Sequence, residues 1–185
     1  MIDKLKKVLH FIIYSANQHN WPLGAVKLTK SVVLSELTSL YWQYRPIIGV
    51  KVVKAPRGPV PDGFTEALKQ LEADGLIKIT EGEERYEPTS YESLVAPDLT
   101  LLSTFISDEE QRIIAEITEV CCKKYTATAL SDLTHNWYWK TVKMGDEIPL
   151  AAYLRSEDES LEPSPLTEED LAQIDRVMAD GRLNA

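Results

Sequence analysis

The chain has 185 residues, 44% of them hydrophobic, which is enough for one core of ordinary size without disulfides or a structural metal. No stretch approaches the roughly 20 apolar residues of a membrane span, so no transmembrane segment is expected. The net charge of −9 divides into +7 over residues 1–60 and −16 over residues 61–185, which favours a charged partner for one half, a contact between the halves, or simple solvated faces.

A first amphipathic helix is predicted near the N-terminus, with Asp3 as its cap and its end within residues 17–22. Its apolar residues recur at helical spacing and are Leu5, Val8, Leu9, Ile12, Ile13 and Ala16. The lysines that precede this run imitate a signal peptide, but His10 interrupts the run and no small-residue cleavage site follows. We therefore expect a cytoplasmic protein.

A second helix, over residues 24–44, is apolar around much of its circumference, as is typical of a helix at the centre of a domain. Its apolar residues include Leu28, Val32, Leu37, Leu40 and Tyr41. The β-branched segment 47–55 then predicts a strand. Residues 56–63, with the sequence PRGPVPDG, are interpreted as a shaped loop because proline and glycine dominate them.

A third helix is predicted because Phe64, Ala67, Leu68 and Leu71 restore helical spacing. Gly75 stands where a helix commonly ends in a left-handed residue. Residues 76–80, the polar turn EGEE and residues 85–89 then predict a β-hairpin.

A helix followed by a hairpin is the layout of a winged helix, in which the helix reads a DNA groove. The acidic residues Glu66, Glu72 and Asp74 face only Lys69, and the hairpin turn adds three glutamates. Since contact with DNA relies on Lys and Arg, these charges argue against a nucleic-acid partner.

A fourth helix is predicted from the S-x-x-E capping box of Ser107 and Glu110 and extends to Lys124. Its predicted inner face consists of Ile113, Ile114, Ile117, Val120 and Cys121. Because Cys121 and Cys122 are adjacent, they cannot act as a C-x-x-C pair and are interpreted as free thiols in a reducing compartment.

The remaining segments complete the predicted domain. A short helix follows, with Thr128 as its cap and Leu130 and Leu133 facing inward, and residues 146–154 predict a final packed turn. Residues 156–166 have the composition of an acidic linker, and residues 167–185 predict a C-terminal helix that docks on the domain or binds a partner.

The expected architecture is α+β and predominantly α-helical. One globular domain covers residues 1–155, with a small β element formed by the strand near 47–55 and the hairpin near 76–89. A winged-helix-like arrangement of that β element is one interpretation.

No constellation of residues typical of an enzyme occurs in the sequence. It lacks a glycine-rich phosphate loop and the motifs G-x-S-x-G, H-E-x-x-H and C-x-x-C, and none of its three histidines has a partner at metal-ligand spacing. We therefore expect no enzymatic activity, catalytic residue, metal or cofactor. His135, which precedes three aromatics, is interpreted as the end of a short helix, with either a structural role or partner contact through the aromatics.

Four segments together resemble the Panacea domain family, which includes SocA-type antitoxins and phage-associated relatives. They are Lys27-Leu28-Thr29-Lys30, Arg57-Gly58-Pro59-Val60, the sequence LSDLTH over residues 130–135 with Trp139 shortly after, and Ile148-Pro149 followed by Ala152-Tyr153-Leu154. The resemblance spans about residues 4–154. Thr29 stands where the family usually has glutamine, and Tyr138 stands where it often has proline.

The resemblance implies an antitoxin that neutralises a cognate protein toxin, in bacteria or phages, by direct contact. Some relatives are similar to adaptors that deliver the toxin to a protease, and a winged-helix regulator remains the alternative from the residues themselves. Interfaces rely on a few aromatic or Arg anchors. The predicted partner-binding residues are Arg57, Gly58, Pro59, His135, Trp137 and Trp139. Residues 57–59 have the alternative role of shaping a turn.

Overall fold

The computed structural model describes residues 2–82 and 89–154, which belong to one compact unit, Met1–Leu154. The predicted linker and C-terminal helix, and most of the predicted strand 85–89, lie outside the described residues. The helices are α1 (Ile2–Gln18), α2 (Ala25–Gln43), α3 (Phe64–Ala73), α4 (Leu99–Ser103), α5 (Asp108–Lys123), α6 (Ala127–Thr134), α7 (Trp137–Thr141) and a final 3-10 helix (Leu150–Tyr153). The strands are β1 (Val52–Ala55), β2 (Gly58–Pro61), β3 (Ile77–Thr80) and β4 (Ser90–Ser93). The predicted class, α+β and mainly helical, is confirmed.

Helix α1 buries the whole predicted apolar stripe, together with His10. Asp3 lies inside its first turn instead of capping it. The ring of His10 lies 2.8 Å from Val95 O and 3.2 Å from Ser93 Oγ, so the fold uses this histidine in a structural hydrogen bond. Burial lowers the pKa of His10.

Helix α2 is the central helix, as its composition predicts. It contacts α1, α5, α6, β2 and the 3-10 helix, and residues 28–33 are all buried. Its C-terminal end departs from the prediction, because Tyr41 is 60% exposed. The helix ends at Tyr44, which adopts a left-handed conformation.

The interpretation of residues 56–63 as a loop is wrong, because Gly58–Pro61 forms strand β2 and pairs antiparallel with β1. Val53 pairs with Val60, and Ala55 pairs with Gly58. The prolines of β2 have no N–H group, so they occupy the positions of this strand that donate no hydrogen bond to β1. Strand β1 hydrogen-bonds on its other side with residues 145–148.

Helix α3 and the hairpin β3–β4 follow each other as in a winged helix. Strand β4 begins at Ser90, later than predicted, and pairs only with β3 among the described strands. Glu66, Lys69 and Glu72 on α3 are exposed, and Asp74 pairs with Lys6 at 2.8 Å. The exposed face of this helix is thus acidic, as predicted.

The capping box of α5 is present in full. Ser107 Oγ accepts from Glu110 N at 3.3 Å, and Glu110 Oε2 accepts from Ser107 N at 2.8 Å. Of the predicted inner face, Ile113, Ile114 and Cys121 are fully buried, while Ile117 and Val120 are half-buried. Both Cys121 and Cys122 are buried free thiols.

Two predictions for α6 are wrong. Its cap is Thr126, whose hydroxyl accepts from Ala129 N at 3.1 Å, whereas Thr128 lies inside the helix. Leu130 is buried as predicted, but Leu133 is 57% exposed because it lies on the solvent side of this two-turn helix.

Among residues 2–82 and 89–154, no helix is long and apolar enough to cross a membrane.

Candidate partner-binding site

The turn between β1 and β2 contacts the C-terminal half of α6. Pro56 and Arg57 form the turn, and Arg57 is exposed. Ser131 Oγ donates to the backbone oxygen of Arg57 at 3.2 Å. Segments 74 residues apart in the sequence are thereby joined at one surface.

Lys30 of α2 is buried beneath this turn. Its side chain is only 1% exposed, and its Nζ donates to Pro59 O at 2.9 Å. Burial lowers the pKa of Lys30 to about 7, because an apolar environment disfavours the charged amine. Lys30 therefore links α2 to β2, although burial of its charged amine is electrostatically unfavourable.

Gly58 lies directly against this amine. Its φ is +97°, a conformation that favours glycine, and a Cβ atom there would lie 2.5 Å from Lys30 Nζ and 2.7 Å from Thr134 Oγ1. An added methyl group would thus strain the backbone and force Lys30 or Thr134 to shift. We refer to Lys30, residues 57–59 and residues 130–135 as the motif junction.

Thr134 closes the motif junction from α6. Its hydroxyl donates to Leu130 O at 2.9 Å, and its carbonyl oxygen accepts from Tyr153 Oη at 3.1 Å. This bond back to the carbonyl one turn earlier satisfies the hydroxyl within α6. Through Tyr153, the 3-10 helix is connected to the same point.

His135 caps the C-terminal end of α6 and stacks on Trp139, with ring centroids 3.7 Å apart and planes at 13°. Lys54 Nζ lies 4.3 Å above the Trp139 ring and donates to Val142 O at 2.8 Å. Burial, followed by the nearby positive charge of Lys30, lowers the pKa of His135. Helix capping and ring stacking are structural contacts of His135.

Trp137 does not join this stack. Its ring meets Tyr138 edge-on, at 5.4 Å and 80°. In the part of the chain that the structure describes, three buried side-chain nitrogens have no hydrogen-bond partner, and all three belong to this segment: His135 Nε2, Trp137 Nε1 and Trp139 Nε1. Unpaired buried groups cost on the order of 1–3 kcal/mol each.

Four of the six predicted partner-binding residues belong to the motif junction: Arg57, Gly58, Pro59 and His135. Trp139 stacks on His135, and Trp137 lies beside them. Arg57 is exposed in the turn, whereas Gly58 and Pro59 are buried and belong to strand β2. His135, Trp137 and Trp139 are half-buried. Their contact with a partner stays a prediction.

Sequence reasoning did not select Lys30 or Lys54 as site residues. Lys30 stands among apolar and small residues in a helix predicted to be buried, and a charge in that setting is itself a signal, since lysine is rarely fully buried. The pairing of Lys54 with Trp139 has no comparable sequence signal because the two residues are far apart in the chain.

No metal site accompanies this arrangement: within residues 2–82 and 89–154, no group of three or more His, Cys, Asp or Glu side chains could hold an ion.

The family described as antitoxin SocA-like, Panacea domain, matches residues 28–140, more than half of the chain. The chain belongs to this family. The matched segment contains Lys30, Arg57, Gly58 and Thr134, so the motif junction lies entirely within the Panacea domain. The match is narrower than the span of about 4–154 that the motifs indicate. No curated protein matches the chain, and no solved structure does.

The two departures from the Panacea pattern are accommodated locally. Thr29 is buried, and its hydroxyl donates to Ala25 O at 2.8 Å, which satisfies it within α2. Tyr138 lies inside the short helix α7, where its carbonyl oxygen accepts from Thr141 Oγ1 at 2.9 Å.

Proposed function

We propose that this Panacea domain is an antitoxin that neutralises a cognate protein toxin by direct contact, in the cytoplasm of a bacterium or during phage infection. The observation that carries the proposal is the family match over residues 28–140. The domain acts in this proposal by binding, not by catalysis.

The contact face that we propose consists of Arg57 and the aromatic segment at the junction of α6 and α7, which contains His135, Trp137 and Trp139. Arg57 is the exposed member of the predicted set, and arginine and tryptophan are the residue types that most often dominate binding energy. Lys30, Gly58 and Thr134 lie beneath this face and hold it in place.

Co-expression tests the proposal. The gene product encoded beside this chain is expressed in a bacterial host with the intact chain, and with a version carrying an early stop codon as control. We expect growth arrest with the truncated version and growth with the intact one. A neighbour that is harmless in both strains, and that does not co-purify with the chain, contradicts the proposal.

The alternative within the same family is an adaptor, which would deliver the toxin to a protease. Repeating the co-expression in hosts that lack individual cytoplasmic proteases separates the two mechanisms. Direct neutralisation predicts rescue in every host, while an adaptor loses rescue when its protease is missing.

A DNA-binding regulator is the alternative that the order of α3, β3 and β4 raises. The acidic exposed face of α3 disfavours it, because phosphate contacts require Lys and Arg. Duplex titrations at two salt concentrations decide the matter, since genuine phosphate contacts weaken steeply with salt.

A further inference from the structure

Helix α2 ends in three exposed aromatic side chains that the motif junction does not use. Tyr41 is 60% exposed, Trp42 is 71% exposed and Tyr44 is 89% exposed, which makes them the most exposed aromatics in the described part of the chain. The rings of Tyr41 and Trp42 meet edge-on at 5.1 Å. We refer to these three residues as the aromatic tip.

The backbone of Tyr44 adds an independent observation. Its φ of +57° is the left-handed conformation that ends many helices, where glycine is the favoured residue. The chain instead keeps a tyrosine there, although nearly the whole side chain is in solvent. A strained position that carries an exposed aromatic indicates a role outside the fold of the single chain.

The charge around the aromatic tip indicates what it meets. Residues 37–44 carry no charged side chain, while the chain as a whole carries −9. Two copies of such a chain repel each other except where they meet through uncharged surface. Beside the tip, Arg45 bonds to Glu110 at 3.3 Å, which brings the acidic first turn of α5 next to an exposed arginine. A rim that carries both signs is complementary to itself across a two-fold axis.

The exposed area of the tip is sufficient only for a weak, reversible interface. With about 150–250 Å² per large aromatic, the three side chains offer roughly 400 Å², about half of what one partner contributes to a standard interface. We propose that the aromatic tip docks a second copy of this chain, tip against tip, in a reversible homodimer. This proposal does not rest on the proposed antitoxin function.

Sedimentation velocity of the full chain, from low micromolar to near-millimolar concentration, tests the proposal. We expect a monomer at the low end and a dimer at the high end for the wild type. Trp42→Ser and Tyr44→Gly are each expected to weaken dimerisation by about tenfold or more. Met144→Ser is the matched control, because it removes an apolar side chain that is 58% exposed and lies outside both the tip and the motif junction, and it should dimerise as the wild type does.

Thermal unfolding at low concentration verifies that the variants fold. Tyr44→Gly should unfold at a higher temperature than the wild type, because glycine relieves the left-handed strain, so its loss of dimer cannot be attributed to misfolding. A wild type that stays monomeric throughout overturns the proposal, as do tip variants that dimerise like the wild type. If the wild type is monomeric and the tip variants lose toxin neutralisation, the tip binds the toxin instead, which also overturns it.

Discussion

A Cβ atom at position 58 would overlap the amine of Lys30 and the hydroxyl of Thr134. Gly58→Ala is therefore expected to lower the free energy of unfolding by about 2 kcal/mol or more, from backbone strain and overpacking together. Gly75→Ala is the matched control, since Gly75 also has a positive φ but has nothing within 4 Å of the point that a methyl group would occupy. It should lose only about 1 kcal/mol. Equal losses in urea unfolding would contradict the close contact at position 58.

The buried amine of Lys30 predicts a specific pH dependence. Its pKa in the folded chain is about 7, against an ordinary value of 10.5. Below the lower value both states bind the proton, and the fold bears the full cost of a buried charge. Between the two values the unfolded chain binds more protons, so the free energy of unfolding rises with pH.

Lys30→Met removes this titration and leaves the other groups in place. The stability of the wild type minus that of the variant should rise by up to about 1.4 kcal/mol per pH unit between these two pKa values. Urea unfolding of both proteins across that range measures the difference. Parallel pH profiles would show that burial does not lower the pKa of this amine.

The sequence predicted part of this residue-level chemistry. The sequence places His135 at the end of a short helix, and His135 is the C-cap residue of α6. The stacking of His135 on Trp139 could not be foreseen, because α6 ends at Thr134 and a new helix starts at Trp137. Ring contact across such a break depends on the path of the backbone.

The corrected cap of α6 gives a prediction at the scale of one element. Thr126→Ala removes the hydroxyl that accepts from Ala129 N and should lower the free energy of unfolding by about 1 kcal/mol. Thr128→Ala, an exposed position inside the same helix, should change it by less than about 0.5 kcal/mol. The reverse order in a denaturant titration would restore Thr128 as the cap.

Periodicity predicted the long helices well and the first hairpin poorly. Helices α1, α2 and α5 bury most of the side chains that their spacing selects, because each has enough turns to define a face. The prolines of β2 concealed a strand, since proline argues against a strand, although Pro59 and Pro61 lie opposite Lys54 and Val52 of β1. In the two-turn helix α6, one apolar residue is buried and another is exposed. Such a helix has too few residues for spacing to decide.

At the scale of the whole molecule, segments far apart in the sequence meet at the motif junction. Lys30 comes from α2, Gly58 from the first hairpin and Thr134 from α6, and Gly58 lies between the other two side chains. Their order along the chain supported the family resemblance but gave no information on their distances. Only the tertiary contacts of the folded chain bring these three residues together.

The uneven charge distribution also has a structural counterpart. Ion pairs Lys6–Asp74, Arg45–Glu110 and Lys51–Glu147 each join the basic first third to the acidic remainder. A contact between the halves, one of the three alternatives raised by the sequence, is therefore confirmed. In Lys51–Glu147 both side chains are exposed, and such a pair contributes only about 0–1 kcal/mol. In Arg45–Glu110 the carboxylate is buried.

The central claim is that this Panacea domain binds a toxin through Arg57 and the neighbouring aromatic segment. A calorimetric titration of the purified neighbouring gene product into the purified chain tests it most directly. We predict saturable binding to the wild type, a loss of about tenfold or more in affinity for Arg57→Glu, and unchanged affinity for Lys69→Glu. The control makes the same change of charge on the exposed face of α3. Absence of binding to the wild type, or equal affinities for the two variants, would contradict the claim.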